Sequence, residues 1–214
     1  MKKFSFGLIL FSVALCALLF CPQKGYAGTI TLQLVSVGGQ SSGSDYIYPY
    51  NFSFNGSTEL TSLMCISYEN TIYFGETWQA TLVPVTGSGN PQYLEAAYIV
   101  SLAAAPGATA NTIAIAQWAN WELFDPNDPN LKANLPAGYQ PQIDAMLDEA
   151  SASTTTNYPN IDIFIPIDGT QSTGGEPQFF VGDPPDAPEP SSYLLFGTGL
   201  LGLAVLGFRR RCVA

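Results

Sequence analysis

Tyr46-Ile47-Tyr48-Pro49-Tyr50-Asn51-Phe52-Ser53-Phe54-Asn55-Gly56 places an aromatic ring at every second position and then stops at Asn-Gly. Side chains alternate across a strand, so Tyr46, Tyr48, Tyr50, Phe52 and Phe54 are expected on one face. Asn55-Gly56 is a strong hairpin signal, because both residues accept the positive φ of a tight reversal. Five rings on one face form half of a sheet core or, if exposed, a surface on which sugar rings stack. The same period runs outward in both directions. Ile30, Leu32 and Leu34 alternate with Thr29, Thr31 and Gln33 as far as Gly38-Gly39, and Leu63 to Tyr68 and Trp78 to Val85 read as further strands.

Beyond residue 90 the period changes. Asn90 is a good N-cap and Pro91 suits the first helical position, with Leu94, Ala97, Tyr98, Ser101 and Leu102 on one stripe until Pro106-Gly107. A second helix is expected from Asn111 to Phe124, ended by Asp125-Pro126, and a third from Pro141 with Ile143, Met146, Leu147 and Ala150 inward. Period two returns at Ile161, Ile163, Ile165 and Ile167, closed by Asp168-Gly169, and again at Phe179 to Val181. Strands, then helices, then strands define an α+β class, a β-rich barrel or sandwich with a helical insert of about three helices. The domain is expected over residues 28–181, with a proline-rich stalk at 182–190.

The two ends have a different character. Residues 1–27 combine Lys2 and Lys3, an apolar run from Phe4 to Phe20 and a small-residue exit at Ala27, the layout of a cleaved signal peptide. Residues 191–208 hold no charge and are followed by Arg209, Arg210 and Arg211. As a helix this stretch covers about 27 Å, enough for a single transmembrane pass with the arginines inside and the domain exported. Between the ends, 17 acidic residues face only Lys132, a formal charge of −16. With a pI near 4.1, phosphate-backbone binding is excluded, so no nucleic-acid partner is expected. The chain has no histidine, which removes Ser-His-Asp and Cys-His catalysis and thins any metal site. No metal and no cofactor are expected.

Pro188-Glu189-Pro190, the apolar helix and Arg209 to Arg211 occur in the order of the PEP-CTERM sorting signal of Gram-negative bacteria, which the tail at 188–211 closely resembles. Similar tails also carry the label of an ice-binding protein C-terminal domain. The resemblance implies processing by the membrane protease-transpeptidase exosortase. The membrane helix would hold the chain in the inner membrane during sorting. Its destination would then be the cell surface, outer envelope or extracellular matrix of a Gram-negative cell.

Chemistry is suggested at one pair. Cys16 and Cys21 lie in the signal peptide and Cys212 beyond the sorting helix, so Cys65 is alone in the exported domain. It is a small buried hydrophobe, an intermolecular partner or a reactive thiol. On a 3.6-residue pitch Gln117 shares a face with Ile113, Asn120, Trp121 and Phe124 and should be buried, where an amide needs specific hydrogen bonds. Met64-Cys65-Ile66 and Ala116-Gln117-Trp118-Ala119-Asn120-Trp121 resemble the Cys and Gln motifs of the thioester domains of bacterial surface adhesins. The resemblance implies a β-barrel with a helical subdomain, in which Gln117 acylates Cys65 and a surface amine or hydroxyl later displaces the sulfur. Tyr68, Trp118 and Trp121 would exclude water. Met64, Ala116 and Asn120 depart from that family's pattern, which favours an aromatic or Leu, a Thr and an apolar residue there.

Asp125, Asn127, Asp128 and Asn130 gather oxygens in one loop but lack EF-hand spacing, and two prolines favour Asx caps. Asp148 and Glu149 are adjacent on a helix and diverge. The function expected is a non-enzymatic surface or matrix protein with an adhesive or structural role, with extracellular polysaccharide or surface amines and hydroxyls as partners. Its rival, motivated by the acidic excess, is a secreted carboxylate-dependent enzyme acting on polysaccharide.

Overall fold

The computed structural model describes residues 29–153, 158–172 and 177–185. The expected signal peptide at 1–27, the sorting signal at 188–211 with its helix at 191–208, and the stalk beyond residue 185 lie outside the described residues. Among the described residues no helix is long and apolar enough to cross a membrane.

Six strands close into a barrel, and every pairing is antiparallel. β1 (Thr29–Val37) pairs with β4 (Tyr50–Phe54), β4 with β5 (Leu60–Cys65), β5 with β8 (Phe180–Gly182), β8 with β7 (Asp162–Pro166), β7 with β6 (Thr77–Pro84), and β6 again with β1. Closure leaves no sheet edge. A small hairpin of β2 (Ser41–Ser42) and β3 (Asp45–Tyr46) stands apart in the β1–β4 connection. Gly182, expected to open the stalk, is the last residue of β8 and pairs with Asp162.

The barrel interior is aromatic. Phe52 meets Trp78 and Phe180 edge to face at 5.7 and 4.7 Å between centroids, and Phe54 meets Phe164 at 5.6 Å. Such pairs add to the free energy of area burial. The row of five rings is shorter than its periodicity predicts. Tyr50, Phe52 and Phe54 are buried, but Tyr46 is 52% exposed on β3 and Tyr48 is half-buried. Pro49 has no N–H to donate, so the ladder resumes only at Tyr50. The isoleucine reading of β7 is also corrected. Phe164 fills the interior opposite Phe180, while Ile163 pairs with Val181 on the other face and is equally buried. A helix packs against neighbouring β8, whose Val181 is the partner of Ile163, so alternation in burial is lost there.

Among the described residues, four helices follow β6. α1 (Pro91–Ala104) is capped by Asn90, whose side chain accepts the Gln92 N–H at 3.1 Å. Its buried residues are Ala96, Ala97, Ile99, Val100 and Ala103, a face rotated from the expected stripe, on which Ser101 proves exposed. α2 (Ala110–Phe124) starts from Thr109, which accepts the Thr112 N–H at 3.1 Å. It is buried without interruption from Ile113 to Trp121, because α1 and α4 (Gln140–Ala152) flank it and β5 lies beneath. The short α3 (Pro129–Asn134) was not expected and raises the count from about three helices to four. Asp128 caps it by accepting the Asn130 N–H at 2.7 Å.

Candidate functional site

Cys65 is the last residue of β5, and its pairing with Phe180 puts the two side chains on the same, interior face at one end of the barrel. Ile66 N–H donates to the Phe179 carbonyl at 2.9 Å and Phe179 N–H to Ser67 Oγ at 2.9 Å, so the chain just past the cysteine is held. The thiol is free, fully buried, and donates to the Ser67 carbonyl at 3.0 Å. Burial pushes its pKa up to about 12; the Trp121 side chain and then Ser67 pull it down, and the Asp125 charge adds to the rise.

Gln117 stands at the middle of α2 and is also fully buried. Its Nε2 donates to the Cys65 main-chain carbonyl at 2.6 Å, and its Oε1 accepts the Tyr48 N–H at 3.2 Å. One amide therefore joins the helical insert to the end of β5 and to the segment before β4. The sequence places Cys65 and Gln117 apart, and the fold brings them together across 52 positions.

Three rings wall the pair. Trp121 lies 5.1 Å from Trp118 and 5.0 Å from Tyr68, and Tyr68 lies 5.9 Å from Trp118, all between centroids. Both indoles are buried. The β2–β3 hairpin is fastened over this wall: Trp118 Nε1 donates to Ser42 Oγ at 3.0 Å, and the Tyr68 hydroxyl donates to Asp45 Oδ2 at 3.2 Å. Asn134 Nδ2 donates in turn to the Tyr68 oxygen at 2.9 Å. Partial burial raises the Asp45 pKa, and the Tyr68 hydrogen bond opposes that rise.

The departures Met64 and Asn120 meet each other. Asn120 Nδ2 donates to Met64 Sδ at 2.8 Å, while its Oδ1 is buried and makes no hydrogen bond. Sequence reasoning missed Tyr48, Ser67, Ser42 and Asp45 at this site. Three of them act through main-chain atoms or short hydroxyls, and only the Asn-rich and Ser-rich composition of the loops hinted at such roles.

Of the other candidates, Asp125 acts by its charge on the Cys65 thiol and Asp128 on the Tyr68 hydroxyl, while Asp148 and Glu149 lie on α4. Asp128 Oδ1 serves the α3 cap and its N–H donates to the Asp125 carbonyl at 3.2 Å, while Oδ2 is buried without a hydrogen bond. No group of three or more His, Cys, Asp or Glu side chains is placed to hold a metal ion among the described residues. Glu149 on α4 meets the Tyr98 hydroxyl, and that contact raises the Tyr98 pKa to about 12.

Residues 186–211 match the family model of the PEP-CTERM protein-sorting motif. That motif marks an exported protein of Gram-negative type that is processed by exosortase. The chain is similar to the N-terminal thioester domain of a surface protein from Clostridium perfringens, at 9% identity over 72% of this chain and 98% of that one, with a TM-score of 0.46. No curated protein matches the chain.

Proposed function

We propose that this chain is a non-enzymatic, adhesin-like protein of the cell surface or extracellular matrix, whose exported domain forms an internal Cys65–Gln117 thioester. The observation that carries the reading is the Gln117 amide held at 2.6 Å on the Cys65 carbonyl, with both residues fully buried.

The chemistry follows from the residues in place. Cys65 sulfur attacks the Gln117 side-chain carbonyl carbon, the carbon–sulfur bond forms, the carbon–nitrogen bond breaks, and the thiol proton leaves with the nitrogen as ammonia. The acyl oxygen is the present Oε1, on which the Tyr48 N–H already rests at 3.2 Å. A fixed main-chain donor at that atom stabilises the oxyanion of each tetrahedral intermediate. Tyr68, Trp118 and Trp121 keep water from the acyl group until a target amine or hydroxyl arrives.

Intact mass of the exported, processed protein tests this. It should fall short of the sequence mass by one ammonia, and Cys65→Ala should restore the full value. A full wild-type mass with a readily alkylated thiol overturns the thioester. Deleting the chain from Pro188 onward should move the protein to a different cell fraction, and unchanged fractionation overturns the surface destination. Hydrolysis of purified matrix glycan that a single Asp or Glu substitution abolishes would instead support the enzymatic rival.

A further inference from the structure

The buried indole N–H of Trp121 meets no nitrogen or oxygen acceptor, and the group it reaches is the Cys65 sulfur. A neutral thiol is a weak partner for a buried donor, so the retention of this donor calls for a physical reason. Trp121 lies one helical turn beyond Gln117 and so shares its face of α2. Its ring is held on two sides by Trp118 and Tyr68, at 5.1 and 5.0 Å. Of the groups that act on Cys65, Trp121 is the one that lowers the thiol pKa most. The thiol proton is turned away, toward the Ser67 carbonyl at 3.0 Å. A neutral thiol accepts hydrogen bonds weakly and a thiolate accepts them strongly. The indole donor is thus positioned beside an atom that becomes a strong acceptor only when it carries charge.

We propose that the Trp121 indole N–H is the donor that takes up negative charge on the Cys65 sulfur as the Gln117 acyl group is transferred onto and off it. This rests on the thioester reading above. When an amine attacks the acyl carbon, the carbon–sulfur bond breaks and its electron pair goes to sulfur. The indole N–H holds that pair until the proton lost by the amine reaches sulfur as thiol, leaving a new amide at Gln117. Formation runs through the same sulfur charge in the opposite direction. The other titratable groups facing this sulfur are Tyr50 from β4 and Asp125 at the C-terminal end of α2, and either one, when ionised, opposes the thiolate. The indole therefore offsets both burial and these charges.

The test compares Trp121→Phe with Trp78→Phe in the processed protein. Trp78 has a buried, unbonded indole N–H inside the barrel, so it controls for loss of a buried indole. Opening by methylamine, followed by mass, should slow about ten-fold to one hundred-fold in Trp121→Phe, the loss of one charge-assisted hydrogen bond. Alkylation of the opened thiol by iodoacetamide, profiled from about pH 8 to 10 where the fold is intact, should slow about ten-fold in Trp121→Phe and stay near wild type in Trp78→Phe. Equal slowing in both variants, or an unmoved profile, overturns the proposal. Should Trp121→Phe not fold, the wild-type Trp121 indole resonance, assigned by elimination, should shift on methylamine opening and follow the thiol titration; a stationary resonance overturns it. If wild type carries no thioester, the reading of the function fails separately. The alkylation profile and the resonance still decide whether this donor acts on the sulfur.

Discussion

Replacing Gln117 by Leu isolates the connection between barrel and helices. Leu keeps nearly the same volume, so the cavity contribution is small. The two hydrogen bonds are lost: the Cys65 carbonyl loses its 2.6 Å donor in a buried site, and the Tyr48 N–H its 3.2 Å acceptor in a half-buried one. The buried carbonyl left without its partner costs about 1–3 kcal/mol and the half-buried N–H about 1 kcal/mol, so the pair costs about 2–4 kcal/mol. At about 2–4 °C per kcal/mol for a domain of this size, the melting temperature should fall by roughly 4–16 °C. Because a thioester removes Nε2 from the wild type, the comparison belongs in a Cys65→Ala background, which keeps the residue 65 carbonyl and an intact Gln117 amide. Urea unfolding followed by tryptophan fluorescence would compare Cys65→Ala with Cys65→Ala/Gln117→Leu. A difference below about 1 kcal/mol would refute the reasoning, since a buried carbonyl and a half-buried N–H cannot both lose their partners at so small a cost.

Gly38→Ala should destabilise the domain by about 1–3 kcal/mol in the same unfolding assay. Its Cβ would stand 2.6 Å from Pro49 Cδ and 2.7 Å from Cγ, and a proline ring has little freedom to yield. Alkaline pH gives a third check, in protein whose thioester has been opened by methylamine. The folded Cys65 pKa is raised from 9.0 to about 12, so between those values the native state binds more protons than the unfolded chain. Its stability contribution is complete below about pH 9 and is lost as pH rises toward 12, by at most about 1.4 kcal/mol per pH unit. Urea midpoints at rising pH should therefore fall faster for the opened protein than for Cys65→Ala; parallel curves would show a thiol in contact with water.

Local pattern carried a good part of the fold. Alternation at Ile30, Leu32 and Leu34 gave β1, and Asn90-Pro91 gave the start of α1, because strand period and helix capping depend on neighbours in the chain. The pattern failed where burial came from two sides. Ile163 and Phe164 are both buried although adjacent, and Ile113 to Trp121 is buried all round, so neither periodicity nor stripe marks the inward residues. α3 was missed because Asp-Pro-Asn reads as a turn as readily as a cap and a first helical turn.

By itself the sequence determined the sorting tail, whose signal is the linear order of Pro188-Glu189-Pro190, an apolar stretch and three arginines, and the absence of histidine chemistry. It also marked Gln117 as a buried amide, since that follows from one helix alone. Only the tertiary structure decided what the amide touches. Closure of β5 onto β8 and packing of α2 over β5 bring Gln117 to Cys65, and the resumption of the ladder at Tyr50 leaves the Tyr48 N–H free to reach Oε1. Contacts between segments 52 and 69 residues apart arise from packing of the whole core, which no local window of sequence encodes.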